Sequence, residues 1–150
     1  MPLKLDLKTG IKMIINGAVV ENIGPNTKLL VHNDSAILRE KEVLSDADTK
    51  TPASRIYFAL QCAYMFPLEQ EEHLETFRNY LNDYITALPS ANEIGQEILE
   101  AVDAGQLYKA LKKTQKIIHH ESDIVQAMKD SIEESTDEYL PEKGDNIGNR

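Results

Sequence analysis

The strongest constraint in this chain is a change of periodicity at Ser45. Before it, short apolar runs sit between turn residues. After it, apolar residues recur at helical spacing as far as residue 132. Leu3-Lys4-Leu5-Asp6-Leu7 has the period of two expected of a half-buried strand, and Thr9-Gly10 closes it. Lys12-Met13-Ile14-Ile15 runs into Asn16-Gly17, the pair best suited to a two-residue type I′ turn, so Ala18-Val19-Val20-Glu21 can return antiparallel. Gly24-Pro25 supplies a further turn. Residues 28–44 then read as a hairpin, with strands on Leu29-Leu30-Val31 and Ile37-Leu38 joined through Asn33-Asp34-Ser35. A sheet of about five such short strands closes no core alone. It must curl into a barrel, pair with another copy or lie against helices.

The second half supplies helices. Thr51-Pro52 combines an N-cap residue with proline at the first helical position, and residues 53–66 are almost wholly apolar. Ser54, Arg55 and Gln61 interrupt that run on one narrow face, which predicts a helix sandwiched between the sheet and later helices. Leu74, Phe77, Leu81, Tyr84, Ile85 and Leu88 mark an amphipathic helix that Pro89 ends. Ser90 and Glu93 have capping-box spacing and open a helix on Ile94, Ile98, Leu99 and Val102 that stops at Gly105. Leu107, Leu111, Thr114 and Ile118 mark an antiparallel neighbour. Ile124, Val125, Met128 and Ile132 either continue that helix or dock separately.

The expected fold is therefore α+β. A small N-terminal antiparallel sheet or barrel of about five short strands occupies residues 1–50, and a bundle of four to five helices occupies residues 51–134. Residues 135–150, with few apolar side chains, are expected to form a flexible tail. No internal repeat is visible.

Composition narrows function chiefly by exclusion. The single cysteine, Cys62, rules out an internal disulfide framework. No apolar run approaches the ~20 residues of a membrane span and no signal-peptide core opens the chain, so a cytoplasmic protein without a membrane partner is expected. A formal charge of −9 argues against promiscuous nucleic-acid binding. Yet the first 55 residues hold eight Lys or Arg against seven Asp or Glu, and the acid excess lies wholly in residues 56–150. Such asymmetry suggests two regions with different work.

No catalytic constellation stands out, and no enzyme, cofactor or metal is expected. Cys62 lies in an apolar helix, where a thiol is structural rather than nucleophilic. In His119-His120-Glu121-Ser122-Asp123 the adjacent histidines point to different helix faces and only His119 and Asp123 are spaced at i, i+4, so this stretch reads as a solvated helix end rather than a metal site. No phosphate-binding, dinucleotide-binding or nucleophile-elbow motif occurs. Two basic sets remain. Lys4, Lys8, Lys12, Lys28, Arg39 and Lys41, interleaved with His32 and Asn33, offer cations for phosphate and an arginine fork and amide for base edges. Lysines on a small sheet also serve simply as solubilising edges, and both readings stay open on residue chemistry. Lys109, Lys112, Lys113 and Lys116 lie opposite the apolar stripe of their helix and read as its charged face.

The opening M-P-L-K-L-D-L-K-T-G, the hairpin I-I-N-G-A-V-V-E-N, the run L-R-E-K-E-V-L and the helix T-P-A-S-R-I-Y-F-A-L-Q-C-A-Y together resemble the FlbT family of flagellum biosynthesis regulators over residues 1–125. That resemblance implies a post-transcriptional regulator that acts on the 5′ untranslated region of flagellin mRNA, represses translation or promotes its decay, and opposes a partner called FlaF. The strand order around Gly10, M-I-I-N-G and L-R-E-K-E-V is also similar to the carbon storage regulator family, whose intertwined dimers bind RNA loops. Arg39 occupies the place of that family's arginine, while Leu38 replaces its histidine. These likenesses imply an RNA-binding surface on Arg39, Lys41 and the Lys4/Lys8/Lys12 edge, with His32 and Asn33 secondary, on a homodimer or higher homo-oligomer. The alternative is an adaptor or chaperone without RNA contact, gripping flagellin or a FlaF-like protein through Phe77, Leu81 and Tyr84.

Overall fold

In the computed structural model the described backbone spans residues 2–139 and the described side chains end at Ser135. Five antiparallel strands in two small sheets precede four helices: β1 (Leu3–Leu7), β2 (Lys12–Ile15), β3 (Ala18–Glu21), β4 (Thr27–Val31), β5 (Ile37–Arg39), α1 (Pro52–Met65), α2 (Gln70–Ala87), α3 (Asn92–Asp103) and α4 (Leu107–Tyr139). The fold is the α+β arrangement that the periodicities predict. At the β2–β3 turn Asn16 and Gly17 have φ of 50° and 86°, the left-handed pair a type I′ turn requires, and Ile15 sits opposite Ala18.

The hairpin expected over residues 28–44 does not form. β4 pairs with β1 in a two-stranded ribbon, whereas β5 pairs with β2 in a sheet of order β3-β2-β5. Residues 32–36 thus cross from one sheet to the other. The start of β5 is claimed elsewhere. Asn16 Oδ1 accepts the Ala36 N–H at 2.9 Å, the Asn16 N–H donates to the Ala36 carbonyl at 2.8 Å, and the Tyr64 hydroxyl accepts the Ile37 N–H at 3.1 Å.

Alternation along β5 splits the interior. Ile37 joins Leu5, Leu7 and Met13 in a small core of strand residues. Leu38, fully buried, belongs to the large core of Ile56, Leu60, Phe77, Leu81, Ile98, Leu111 and Ile117. One strand therefore carries each lobe's core into the other.

α1 starts as predicted: Pro52 is at the first turn and the Thr51 side chain accepts the Ser54 N–H. It packs against both α2 and α4. Of its polar interruptions Arg55 is exposed, whereas Ser54 and Gln61 are buried and hydrogen-bonded. Gln61, 1% exposed, accepts the Leu44 N–H and donates to the Leu44 carbonyl, each at 2.9 Å. The Tyr57 hydroxyl donates to the Glu42 carbonyl at 2.6 Å. The link between the lobes is thus sewn to α1 at two residues.

Phe77, Leu81 and Tyr84, expected as a partner-binding stripe, are buried inside the fold at 0%, 1% and 4% exposure. Their apolar periodicity is satisfied by this chain's own helices. The capping box at Ser90 does not form either. Pro89–Ala91 make a 3-10 turn, α3 begins at Asn92 without a side-chain cap, and Ser90 Oγ instead lies 2.8 Å from His120 Nε2. The other His120 nitrogen, Nδ1, lies 2.8 Å from the Tyr84 hydroxyl, whose pKa is pushed up to about 12 by burial and by the nearby Glu121. Gly105, at φ 76°, ends α3 in the left-handed conformation glycine favours. α4 is then a single 33-residue helix, so Ile124 to Ile132 continue it. It runs into the stretch expected as a tail, and residues 140–150 lie outside those described. No helix among the described residues is long and apolar enough to cross a membrane.

Candidate nucleic-acid interface

β5 delivers Arg39 to the surface by the same alternation that buries Leu38. The chain then turns through a 3-10 turn at Glu40–Glu42 that brings Glu42 back inside, only 5% exposed. A buried carboxylate requires partners, and Glu42 has four. Its Oε1 accepts the Arg39 N–H at 2.9 Å and stands 3.9 Å from Arg39 Nε. Its Oε2 accepts the Tyr108 hydroxyl at 2.6 Å and stands 3.6 Å from Lys112 Nζ. Burial by itself would raise the Glu42 pKa. The Tyr108 hydroxyl, the Arg39 amide and the Lys112 and Arg39 cations outweigh burial and hold it below the ordinary range. Tyr108 responds in the opposite sense, pushed up to about 12 by burial and by donating to that carboxylate. One acidic side chain thereby ties β5 to α4 and fixes the base of Arg39.

Two open cavities meet at this knot. One, of about 330 Å³, is lined by β1 residues Leu3 to Asp6 and by Ser35, Ile37, Arg39, Glu42, Tyr64 and Tyr108. The other, of about 640 Å³, is lined by Asn16, Asp34, Ser35, Ala36, Tyr64, Pro67 and Gln70 from one side and residues 105–109 from the other. Ser35, Tyr64 and Tyr108 belong to both. The two tyrosine rings lie 5.8 Å apart at 42°, and Lys112 Nζ sits 5.9 Å from the Tyr108 centroid, within cation–π reach. An arginine fork, lysines, hydroxyls and aromatic rings along one cleft are the groups that hold phosphates and unstacked bases.

Of the residues singled out in the sequence, the structure brings Lys4 and Arg39 to one cavity. Lys12 is close by: Met13 is the register partner of Arg39, and the Lys12 N–H donates to Glu40 Oε1 at 3.0 Å. Lys41 is exposed in the turn beyond Arg39. Lys8 sits at the β1–β2 turn, where its carbonyl accepts the Ile11 N–H, and lines neither cavity. His32 and Asn33 are exposed on the crossing segment and also line neither, although their neighbours Asp34 and Ser35 do. Lys28 lies opposite Asp6 in the β1–β4 register.

Sequence reasoning missed Glu42, Tyr64, Tyr108 and Lys112. Glu42 looks like its exposed neighbour Glu40, and the tyrosines look like helix core. Lys112 is hidden in the charged face of α4, where Lys113 and Lys116 both reach Glu97 Oε1, at 3.4 and 3.3 Å. Their hydrogen bonds and charge lower the Glu97 pKa. Elsewhere, Cys62 is buried and its thiol is pushed up by burial, with Asp46 and Glu69 adding to the effect. No cluster of three metal-ligating side chains occurs among the described residues.

The family model described as flagellar protein FlbT matches residues 3–125. This chain belongs to that family. The chain is 35% identical over 122 residues, 81% of its own length and 83% of the relative's, to a probable flagellum biosynthesis repressor protein FlbT 1 of Bradyrhizobium diazoefficiens. It is 35% identical over 125 residues to the flagellum biosynthesis repressor protein FlbT of Caulobacter vibrioides, covering 82% and 89% of the two chains. A probable FlbT repressor of Rhodopseudomonas palustris is 31% identical over 128 residues, covering 83% and 98%. No solved structure matches the chain. Every residue of the Arg39–Glu42–Tyr108–Lys112 knot lies within the FlbT match, whereas the end of α4 lies beyond it.

Proposed function

We propose that this FlbT protein is a post-transcriptional repressor of flagellin synthesis that binds the 5′ untranslated region of flagellin mRNA in the cleft at Arg39. The observation that carries the reading is the state of Glu42. The acid nearest Arg39 is buried and shared with Tyr108 and Lys112, so the guanidinium is anchored at its base and remains exposed at its surface. Lys4 lines the same cavity, Lys41 is exposed in the turn beyond Arg39, and Lys12 is exposed one residue from Met13, the register partner of Arg39. The names of the relatives support a repressing role in flagellum biosynthesis. A homodimer belongs to the same proposal, since two copies place two Arg39 surfaces on one particle.

Arg39→Glu tests the site. Loss of leader-RNA binding is expected with the fold retained, because the Arg39 N–H that holds Glu42 is a backbone group, while the thermal midpoint falls modestly because a carboxylate replaces the cation 3.9 Å from Glu42. Neutralising four phosphates with a slope of about −0.7 each predicts roughly a 50-fold fall in wild-type affinity between 50 and 200 mM salt. Unchanged affinity in the mutant would sink the assignment. The net charge of −9 favours a second reading, an adaptor or chaperone for flagellin or a FlaF-like protein with no RNA contact. Purified protein binding flagellin and not leader RNA supports that reading instead.

A further inference from the structure

α4 outruns the bundle. Its 33 residues span ~50 Å at 1.5 Å each, against 14 residues in α1 beside it. Its last hydrogen bond to another element, among the described residues, is at Glu121, whose Oε2 accepts the Ala53 N–H at 3.1 Å. Beyond that point Val125, Met128 and Ile132 are 43%, 59% and 63% exposed. Standing at i, i+3 and i+7, they form one stripe two turns long. A helix ordinarily turns such a stripe inward, and among the described residues this one is left exposed.

Charge selects what can cover it. Between residues 123 and 135 Asp123, Asp130, Glu133 and Glu134 stand against Lys129 alone. None of these five takes part in an ion pair among the described residues, although Asp130 accepts a hydrogen bond from Gln126 at 3.0 Å. A second copy of this segment would bring like charges together, and nucleic acid or an anionic membrane would meet the same repulsion. Lys and Arg flanking a row of apolar anchors would answer both the stripe and the carboxylates. We propose that the end of α4 docks a basic amphipathic helix of another protein through Val125, Met128 and Ile132. Most of the stripe lies past residue 125, outside the part shared with the FlbT family, so the docking is an addition to the family's common activity and stands apart from the Arg39 cleft.

Two measurements on the full chain test this. A synthetic Leu/Lys amphipathic helix should bind saturably and at least tenfold more tightly than a Leu/Glu helix of the same pattern. Met128→Ser with Ile132→Ser should remove at least tenfold of that affinity and leave the thermal midpoint unchanged. Binding undiminished by the double substitution would mean charge attraction alone and overturn the proposal. With Met128 replaced by a benzophenone amino acid, photo-crosslinking in cells should yield an adduct on a basic, amphipathic segment of a different protein. An adduct on a second copy of this chain, an adduct on an acidic segment, or none at all would overturn it.

Discussion

The two lobes hold themselves together by different means. The helices bury a continuous core from Ala53 to Ile117, whereas the strands share only Leu5, Leu7, Met13 and Ile37, and all four residues of β3 are exposed. A two-stranded ribbon and a three-stranded sheet of this size are marginal alone. Here they persist because Leu38 is inserted into the helical core and Glu42 is held by α4. The helices provide stability and the strands provide surface, and the cleft lies where they meet.

Core truncation should expose that contrast most sharply. Phe77→Ala, with no exposed surface to relax toward, should cost about 3–5 kcal/mol and unfold both lobes in one transition. Leu5→Ala should cost about 2–3 kcal/mol, at the low end for a leucine, and hydrogen exchange should rise in the strands before the helices. Equal losses from the two substitutions, with uniform exchange, would break the comparison.

Next comes the knot between the lobes. Glu42→Gln leaves the size of the side chain unchanged but removes its charge from Lys112 and Arg39, and should cost about 1–3 kcal/mol at neutral pH. Because the folded carboxyl titrates below its ordinary value of 4.5, its stabilisation is complete above that pH and is lost as pH falls through the folded value. Urea unfolding of wild type and variant should therefore converge on acidification below 4.5. A gap that widened there would contradict the geometry. The smallest effect belongs to the exposed strand. Val19→Thr, at a position 66% exposed, should alter stability by no more than about 0.5 kcal/mol.

Local elements were legible because their signals are local. The alternation of residues 3–7, the Asn16-Gly17 turn and the Thr51-Pro52 helix start all appear where the residues place them. Pairing was not legible. A polar run such as Asn33-Asp34-Ser35 suits a hairpin loop or a crossing equally, and the choice is made by Asn16 and Tyr64, each about twenty or more residues away in sequence. Periodicity likewise leaves open whose core an apolar stripe enters. Phe77, Leu81 and Tyr84 enter this chain's own, while the similar stripe at Val125, Met128 and Ile132 stays outside. The candidate site was half visible: Arg39 stands out by its type and place, but the burial of Glu42 depends on Tyr108 and Lys112, far along the chain.

That distance matters during synthesis. The strands leave the ribosome first, yet Leu38 has no core until α1 follows, and Glu42 lacks its partners until Tyr108 and Lys112 appear. At 5–20 residues per second, the wait between Glu42 and Lys112 is about 4–14 s. For that interval a nascent chain carries strand residues whose helical partners do not yet exist, so the Arg39–Glu42 corner takes its folded form only after Lys112 has been made.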